Sequence, residues 1–444
     1  MLEYLKKAVL RPAESDEAVR AVVAEILGAV RREGDVAVRR YSEKLDRWSP
    51  VSFKLSAAEI EAAIAGIGAD DRAMIDYCRD QIAAFARRQR ASLTEFEVEL
   101  QDGVRLGQKL IPVATVGAYV PGGRYPLVAS ALMSITTAKV AGVGRVMACS
   151  PPSPVSAHNP GGGIYPATLY AMVIAGVDDV YCIGGVQALG AMAYGTESIP
   201  AVDMVVGPGN QYVAEAKRQI FGTVGIDLLA GPTEILVVAD ETADVEMIAT
   251  DLLGQAEHGP TSPAICVTTS AAIASALPAE IERQLEMLPT ADVAGVAWRD
   301  YGEIILVDSL QEAVKEADRI AAEHVEILTR EPRWFHDRMK NYGAMFLGPE
   351  TNVSYGDKVI GTNHTLPTLG AARYTGGLWV GKFLKTCTYQ EVTPEASIAI
   401  GEYCSRLCAI ERFWGHKEQA DLRLRRYGGQ DVGLGRGKGM TRDS

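Results

Sequence analysis

Gln255 and His258 stand three residues apart at the close of an apolar segment, DLLGQAEHGP over residues 251–260. On a helix, positions i and i+3 share a face, so an amide oxygen and an imidazole can converge on one point, which is a metal-ligand spacing. Equally, the two side chains would simply solvate a helix end ahead of the Gly259-Pro260 stop. The chain has six histidines, at 158, 258, 324, 336, 364 and 416. His324 follows Glu323 at a helix-to-strand junction, AAEHVEILTR, and a carboxylate beside an imidazole is a pairing suited to proton transfer near neutrality. His364 sits in the loop GTNHTLPT, seven residues after Asp357, and His416 lies in the tail. Taken singly, each of these also reads as a core histidine with a satisfied hydrogen bond.

Such residues need a scaffold, and from 112 onward the sequence supplies one. Short β-rich runs (VATVGAYV, RVMACS, DDVYCIGG, DMVVGPG) alternate with helical stretches (LVASALMSITTAKVAG, TLYAMVIAG, NQYVAEAKRQI). Parallel strands need a helical return of a dozen or so residues, so this texture predicts a parallel sheet. It recurs with TEILVVAD, PAICVTTS, EIILVDS, VEILTR and AMFLGP, which predicts a second α/β unit. Before these, Ser15, Asp16 and Glu17 open an amphipathic helix carrying Val19, Val22, Val23, Ile26, Leu27 and Val30, with Gly34 as its stop. After Tyr355 come a loop-rich stretch, a helical tail containing ERFWGHKEQADLRLR and a glycine-rich basic end.

No G-x-G-x-x-G opens a strand-to-helix turn. Three looser turns exist instead: Tyr119-Val-Pro-Gly-Gly, Ile183-Gly-Gly-Val-Gln187 and Gly207-Pro-Gly-Asn210. Each leads into a helix whose free N–H groups and dipole suit a phosphate, although glycine also serves simply to make a tight turn.

The balance of the composition narrows the class of function. A net charge of −12 over 444 residues, with no clustered basic face, argues against a nucleic-acid partner. The start MLEYLKKAVLRPAES lacks the pattern of a signal peptide, and no stretch of about twenty residues is apolar enough for a membrane span, so a cytoplasmic protein is expected. Seven scattered cysteines suit reduced thiols, and the close pair Cys404 and Cys408 reads as two buried small hydrophobes on a helix.

In order and spacing, the stretches YVPGG, GGVQALGAMAYGT, GPGNQYVAEAKR, AGPTEILVVAD, DLLGQAEHG, AEHVEIL, GDKVIGTNHTLPT and ERFWGH resemble the histidinol dehydrogenase family over nearly the whole chain. The resemblance implies an α/β fold of two Rossmann-like units with parallel sheets, the second inserted in the first, plus helical N- and C-terminal arms. The corresponding boundaries are an arm at 1–15, a first domain at 16–118 and 233–378, an NAD-binding insertion at 119–232, and a dimer-crossing tail at 379–444. It implies one zinc per site, held by Gln255, His258 and Asp357 with His416 from the tail of the other subunit, and hence a homodimer with shared active sites. An N/O donor set of that kind suits zinc. It further implies an alcohol carried through an aldehyde to a carboxylate with two NAD consumed, His324 accepting the proton and Glu323 activating water for the second oxidation. NAD contacts fall on Tyr119, Gln187 and Asn210, one in each glycine turn. Substrate contacts fall on Thr233, His324, Asp357, His364 and Glu411.

Two departures bear on the substrate. Where the resemblance implies a Glu that holds a substrate ammonium group, four residues before the loop Asp, this chain has Val353. Where small residues are usual after YVPGG, it has Arg124-Tyr125, and an Arg beside a glycine-rich turn is a fork for an anionic group. Both resemble the branch of the family that contains sulfopropanediol 3-dehydrogenase, so 2,3-dihydroxypropane-1-sulfonate going to 3-sulfolactate is the expected reaction. Glu411 points the other way, to L-histidinol oxidised to L-histidine. Thr233 in place of the usual Ser keeps the hydroxyl. A different class, a zinc-dependent hydrolase in which Glu323 activates water without a nucleotide, would leave the missing G-x-G-x-x-G unsurprising.

Overall fold

The computed structural model of the chain describes residues 2–9, 17–122, 125–156, 159 and 161–429. Arg124, His158, the expected cap residues Ser15 and Asp16, and the basic end beyond 429 lie outside the described residues. The chain divides into two compact units, Met1–Ser92 with Pro112–Leu384, and Leu93–Ile111 with Lys385–Ser444.

The strands, in chain order, are β1 (Leu2–Lys6), β2 (Phe96–Gln101), β3 (Val104–Pro112), β4 (Thr115–Tyr119), β5 (Arg145–Ser150), β6 (Asp179–Cys182) and β7 (Met204–Val206). There follow β8 (Gly225–Ile226), β9 (Ile235–Ala239), β10 (Ala264–Thr268), β11 (Gly302–Val307), β12 (His324–Leu328), β13 (Ala344–Leu347) and β14 (Leu384–Val392). In the larger unit one sheet runs β6-β5-β4-β7-β8 and the other β1-β11-β10-β9-β12-β13. Every pairing in the first is parallel. The second is parallel too, except that β1 adds an antiparallel edge strand against β11. In each sheet the first strand of the α/β run, β4 or β9, lies inside and the order reverses beside it, as in a Rossmann-type sheet. β9 (ILVVA) and β10 (AICVT) are buried at every position, the continuous apolar pattern of strands covered on both faces.

Helices Val128–Ala141, Pro166–Ile174 and Ala69–Ala91 cover one face of the five-stranded sheet, and Glu17–Glu33, Gly185–Tyr194 and Gln211–Ile220 cover the other. The division expected from the sequence grouped residues 16–118 with those after 233. The structure differs, because the helices of 17–91 bury their apolar stripes on the five-stranded sheet instead. The fit is specific: a Cβ on Gly190 would meet Leu27 Cδ2 at 3.1 Å, so the bare backbone of one helix receives the leucine of the other. The six-stranded sheet is covered by Val245–Ala256, Ala271–Leu285 and Ala291–Tyr301 on one face and by Leu310–Ile320 and Pro332–His336 on the other.

The smaller unit takes up residues 93–111, also expected in the first domain. There β2 and β3 pair antiparallel and β14 extends their sheet. Its helices Pro394–Ile410 and Trp414–Tyr427 pack together where Gly401 leaves room for Leu424. All seven cysteines are free thiols; Cys408 is buried as expected, but Cys404, one turn earlier, is exposed. Among the described residues no helix is long and apolar enough to cross a membrane.

At the point where the order of the five-stranded sheet reverses, the turn after β7 is clamped. Gly207 has a φ of +120°, and a Cβ there would fall 2.0 Å from the Tyr119 carbonyl oxygen, so only glycine fits. Its N–H donates to Asp227 Oδ2 at 2.8 Å and its carbonyl accepts from Lys217 Nζ at 2.9 Å. Lys217 and Asp227 are themselves an ion pair with side chains only 2% and 0% exposed. Removing one member of such a pair strands the other charge in the interior, at a cost of about 3–5 kcal/mol. Lys217→Met is therefore expected to lose that much stability in urea denaturation, and Lys217→Met with Asp227→Leu to recover part of it. A single variant as stable as the parent would show that the pair does not hold the turn.

Candidate active site

The central strands of the six-stranded sheet bring two segments together at their amino ends. His324 opens β12 in register with Ile235 of β9, so Glu323 and His324 lie beside Thr233 and Glu234. Glu323 Oε2 accepts from Thr233 Oγ1 at 2.6 Å and from the backbone N–H of Glu234 at 3.0 Å. His324 is 2% exposed, and its Nδ1 lies 3.1 Å from the Glu234 carbonyl oxygen, 3.1 Å from Gln255 Nε2 and 3.4 Å from Glu323 Oε2. A carbonyl can only accept and an amide nitrogen can only donate, so Nδ1 carries a proton when it bonds the Glu234 carbonyl and none when it accepts from Gln255. The other ring nitrogen, Nε2, is buried without a hydrogen-bond partner and lies 3.5 Å from Asp357 Oδ1. An orphaned buried polar atom of this kind is the natural place for a substrate atom.

Three further elements reach this point. Gln255 sits in the last turn of the helix Val245–Ala256, and its Nε2 also meets Thr233 Oγ1 at 3.3 Å. His258 lies two residues past that helix, where its N–H to the Gln255 carbonyl continues the turn, so the i,i+3 spacing survives without a continuous helix. Asp357 belongs to the short helix Val353–Lys358. His364 comes from the following loop; its Nε2 is 2.9 Å from Ser130 Oγ, on the helix Val128–Ala141 that covers the other sheet. The buried Ser130 hydroxyl thus fixes the imidazole.

The charges are strongly perturbed. Burial pushes His324 down, but Glu323 and Asp357 beside it outweigh burial and hold the imidazole up at about 10. Burial raises Asp357, and His324, His364 and Lys358 more than offset this, keeping the carboxyl at about 2. Burial depresses His258, and it depresses His364 to about 4, in each case against the pull of Asp357. The two imidazoles are therefore neutral and the carboxyl is ionised at pH 7, the forms in which these groups bind metal.

Among the described residues no three His, Cys, Asp or Glu side chains form a ready metal cage. Of the four residues expected to bind zinc, Gln255, His258 and Asp357 belong to the larger unit, while His416 belongs to the smaller one. There His416 stands in the first turn of the helix Trp414–Tyr427, edge-on to Phe413 with ring centroids 5.1 Å apart. Glu411 caps the preceding helix in the same unit. A neutral imidazole, a carboxylate and an amide oxygen fit zinc by donor type.

The three glycine turns occupy the carboxyl edge of the five-stranded sheet. Tyr119 ends β4, and its hydroxyl accepts from the Gly185 N–H at 3.2 Å, bridging to the turn after β6. Asn210 is exposed and caps the helix Gln211–Ile220, accepting from the N–H groups of Tyr212 and Val213. Gln187 is fully buried, its Nε2 donating to Asp46 at 3.0 Å while its Oε1 has no partner. β4 and β7 are neighbours, so Tyr119 and Asn210 flank the crevice where the strand order reverses, whereas the turn of Gln187 is two strands from β4.

Sequence reading missed two carboxyl groups here. Glu234 was read only as part of a strand; burial and then the charge of Glu323 push it up to about 8, and its Oε1 accepts from the Leu369 N–H at 2.6 Å. Glu326, on β12, is raised well above the usual range by burial and by Asp251, which burial also raises. A glutamate inside the apolar run VEIL was the one available signal for it.

Residues 9–424 match the histidinol dehydrogenase family model. A histidinol dehydrogenase homolog from Shouchella clausii is 60% identical, covering 96% of this chain and 100% of that protein. The sulfopropanediol 3-dehydrogenase of Ruegeria pomeroyi is 46% identical, covering 96% and 97%. The histidinol dehydrogenase of Cereibacter sphaeroides is 43% identical, covering 93% and 94%. A crystal structure of histidinol dehydrogenase from Elizabethkingia anophelis superposes with a TM-score of 0.88 at 34% identity over 95% of both chains. With a family match running almost from end to end and a fold shared with a solved member, the chain belongs to the histidinol dehydrogenase family.

Proposed function

We propose that this chain is a zinc- and NAD-dependent dehydrogenase that oxidises a primary alcohol through an aldehyde to a carboxylate with two NAD, and that its substrate is 2,3-dihydroxypropane-1-sulfonate, giving 3-sulfolactate. The observation that carries the reading is the buried run Glu323–His324–Asp357, with His324 Nε2 left free. Zinc would be held by Gln255, His258 and Asp357 with His416 of the partner subunit, and NAD by Tyr119, Gln187 and Asn210. Bound zinc would supply a Lewis acid at the hydroxyl and bound NAD a hydride acceptor.

The protein's own groups handle the protons. In this reading His324 Nε2 takes the hydroxyl proton during alcohol oxidation, its ring fixed through Nδ1 by the Glu234 carbonyl. Glu323 is held by Thr233 and the Glu234 N–H, and takes a proton from the water that adds to the aldehyde, so that the hydrate loses its second hydride as a carboxylate forms. His364, neutral and pinned by Ser130, orients the substrate together with Thr233, Glu411 and Arg124.

The anionic substrate is supported by the relative named sulfopropanediol 3-dehydrogenase and by Val353, which is 5% exposed and offers no counter-ion for an ammonium group. The second reading is L-histidinol to L-histidine, favoured by Glu411 and by the relatives named histidinol dehydrogenase. A homodimer is supported by the exposed apolar residues Tyr403, Leu407, Ile410, Phe413 and Trp414 on the smaller unit, a patch that water alone does not favour leaving open.

Incubated with zinc and NAD, the protein is expected to release two NADH per sulfopropanediol consumed, more efficiently than per histidinol. No NADH from any alcohol, with ester or amide cleavage instead, would point to the hydrolase. Glu323→Gln keeps an oxygen for Thr233 and Glu234, so it should fold, yet slow aldehyde oxidation by roughly 10²–10⁴ while alcohol oxidation falls much less. Stopped-flow assays started from alcohol and from aldehyde separate the two steps, and equal losses in both would remove Glu323 from the second. If sites are shared, mixing inactive His416→Ala with inactive His258→Ala under subunit exchange should restore up to about a quarter of the parental turnover, because heterodimers then hold one intact site. Persistent inactivity despite mass-spectrometric proof of heterodimers would argue for sites built within one chain.

A further inference from the structure

Phe346 is buried on β13, in register with Glu326 of β12, while Ala344 pairs with His324. Side chains two apart on a strand share a face, so Phe346 lies on the same side of the sheet as His324, diagonally across from it. The two rings touch. They stack at 29° with centroids 6.1 Å apart, within the range of an offset aromatic pair. The same ring meets a second element of the site. A Cβ on Gly356, the residue before Asp357, would fall 2.7 Å from Phe346 Cε1 and 3.1 Å from Cζ. The bare backbone of the helix Val353–Lys358 therefore rests on the phenyl ring.

A buried phenylalanine on a strand ordinarily just fills core. Two features go further here. Gly356 does not have the left-handed backbone that calls for glycine, and beyond the two ring atoms the next neighbour of its would-be Cβ is Thr362 Oγ1 at 3.5 Å. The ring is thus what excludes a side chain at that position. A cavity of about 720 Å³, lined also by Met345, Asn363 and Trp379, borders Phe346, so a pushed ring has room to give way.

The polar contacts leave a gap that this ring fills. Those of Nδ1 with Glu234 and Gln255 hold one edge of the imidazole, and the bond from the Val353 N–H to Glu326 Oε1 at 2.9 Å holds the head of the helix. Neither sets how far Asp357, four residues on, stands from the imidazole; Asp357 Oδ1 lies 3.5 Å from His324 Nε2. One side chain in contact with both the imidazole and the residue before the carboxylate does set it.

We propose that Phe346 is a positioning residue of this site, fixing the plane of the His324 imidazole and the distance of Asp357 from it, and that Gly356 is glycine so that the two segments can close on the ring. The proposal rests on the dehydrogenase reading for what the pair does, while the coupling of Phe346 to Gly356 is measurable without turnover.

The test compares full-length Gly356→Ala, Phe346→Leu and the double variant. Competition with a chromophoric chelator gives zinc affinity, NADH release from sulfopropanediol and from histidinol gives kcat and KM, and melting curves report folding. Gly356→Ala pushes a methyl group against the ring, and is expected to lower zinc affinity and kcat by roughly tenfold to a hundredfold, with KM changing less. Phe346→Leu should fold and lose about tenfold in kcat, because the imidazole loses its stacked neighbour. Combining the two should recover most of the zinc affinity lost in Gly356→Ala, since leucine frees the space the methyl needs. If Gly356→Ala alone does not fold, folding of the double variant is the same rescue. Losses that simply add in the double variant would overturn the proposal. So would a Phe346→Leu variant with a lowered melting temperature but parental kcat and zinc affinity, which would make the ring core filling alone. If no alcohol yields NADH with the parent protein while the zinc affinities still show the rescue, the dehydrogenase reading fails and the positioning role stands.

Discussion

The structure turns on one constraint: the charge buried at the amino ends of β9 and β12 must be paired or hydrogen-bonded, because an isolated ion in the interior is far less stable than one in water. Glu323 meets it with a hydroxyl and a backbone N–H, and Asp357 with the neighbouring imidazoles. This placement is unusual for the fold. In an open α/β sheet the ligand crevice lies beyond the carboxyl ends of the strands, where the order reverses. In the six-stranded sheet that place is taken by Asp240, whose carboxylate accepts from the N–H groups of Thr242 and Arg330 at 2.9 and 2.8 Å. The sheet has closed its usual crevice with its own side chain. In the five-stranded sheet the corresponding point lies between β4 and β7, where the Tyr119 carbonyl meets Gly207.

Holding the acid–base groups steady falls to residues that touch no expected ligand. Asp251 lies one turn before Gln255, and Glu326 lies two residues after His324 on the same strand. Burial raises both carboxyls, Asp251 raises Glu326 further while Glu326 draws Asp251 back down, and Glu326 Oε2 is buried with no hydrogen-bond partner. Glu326 Oε1 accepts from the N–H of Val353, at the head of the helix that carries Asp357. Glu326 thus ties the strand of His324 to the helix of Asp357, with the buried Asp251 one turn before Gln255 acting on it. Two ionised carboxylates at this point would repel each other and loosen all three.

Much of this was legible in the sequence, for physical reasons. Runs such as ILVV and AICV are apolar without alternation because both faces are covered, and every strand expected after 112 is present. Glu323 and His324 stood out because charged and titratable residues seldom lie side by side at the head of a buried strand. Less was legible where partners are remote. The amphipathic pattern of residues 17–33 states that one face is buried, but not against which sheet, and the answer depends on a glycine 160 residues away, at Gly190. Strand 96–101 is exposed throughout and 104–112 is fully buried at only two positions, and both lack the apolar run that marks the others. Cys404 and Cys408 share a helix face, with their sulfurs 3.9 Å apart, yet only Cys408 is buried, and no local pattern distinguishes the two. The roles of Glu234 and Glu326 come from partners some 135 and 27 residues downstream, which no local pattern encodes.

The perturbed imidazole sets an order on events at the site. A proton acceptor must be neutral, yet His324 with Asp357 and Glu323 beside it is held protonated, at about 10. Two of the forces holding it there come from Asp357, one through charge and one through contact at Nε2. Positive charge brought up to Asp357 removes that hold, and burial, which already pushes His324 down, then favours the neutral ring. Substituting Asp357 with Asn would act in the same direction. In the proposed reading, the residues that gather around Asp357 would therefore do more than fill coordination positions: they would set when the neighbouring imidazole is free to accept a proton. Lys358, the next residue after Asp357, contributes to the same balance, since its charge favours the carboxylate form of Asp357 and the neutral forms of His258 and His364.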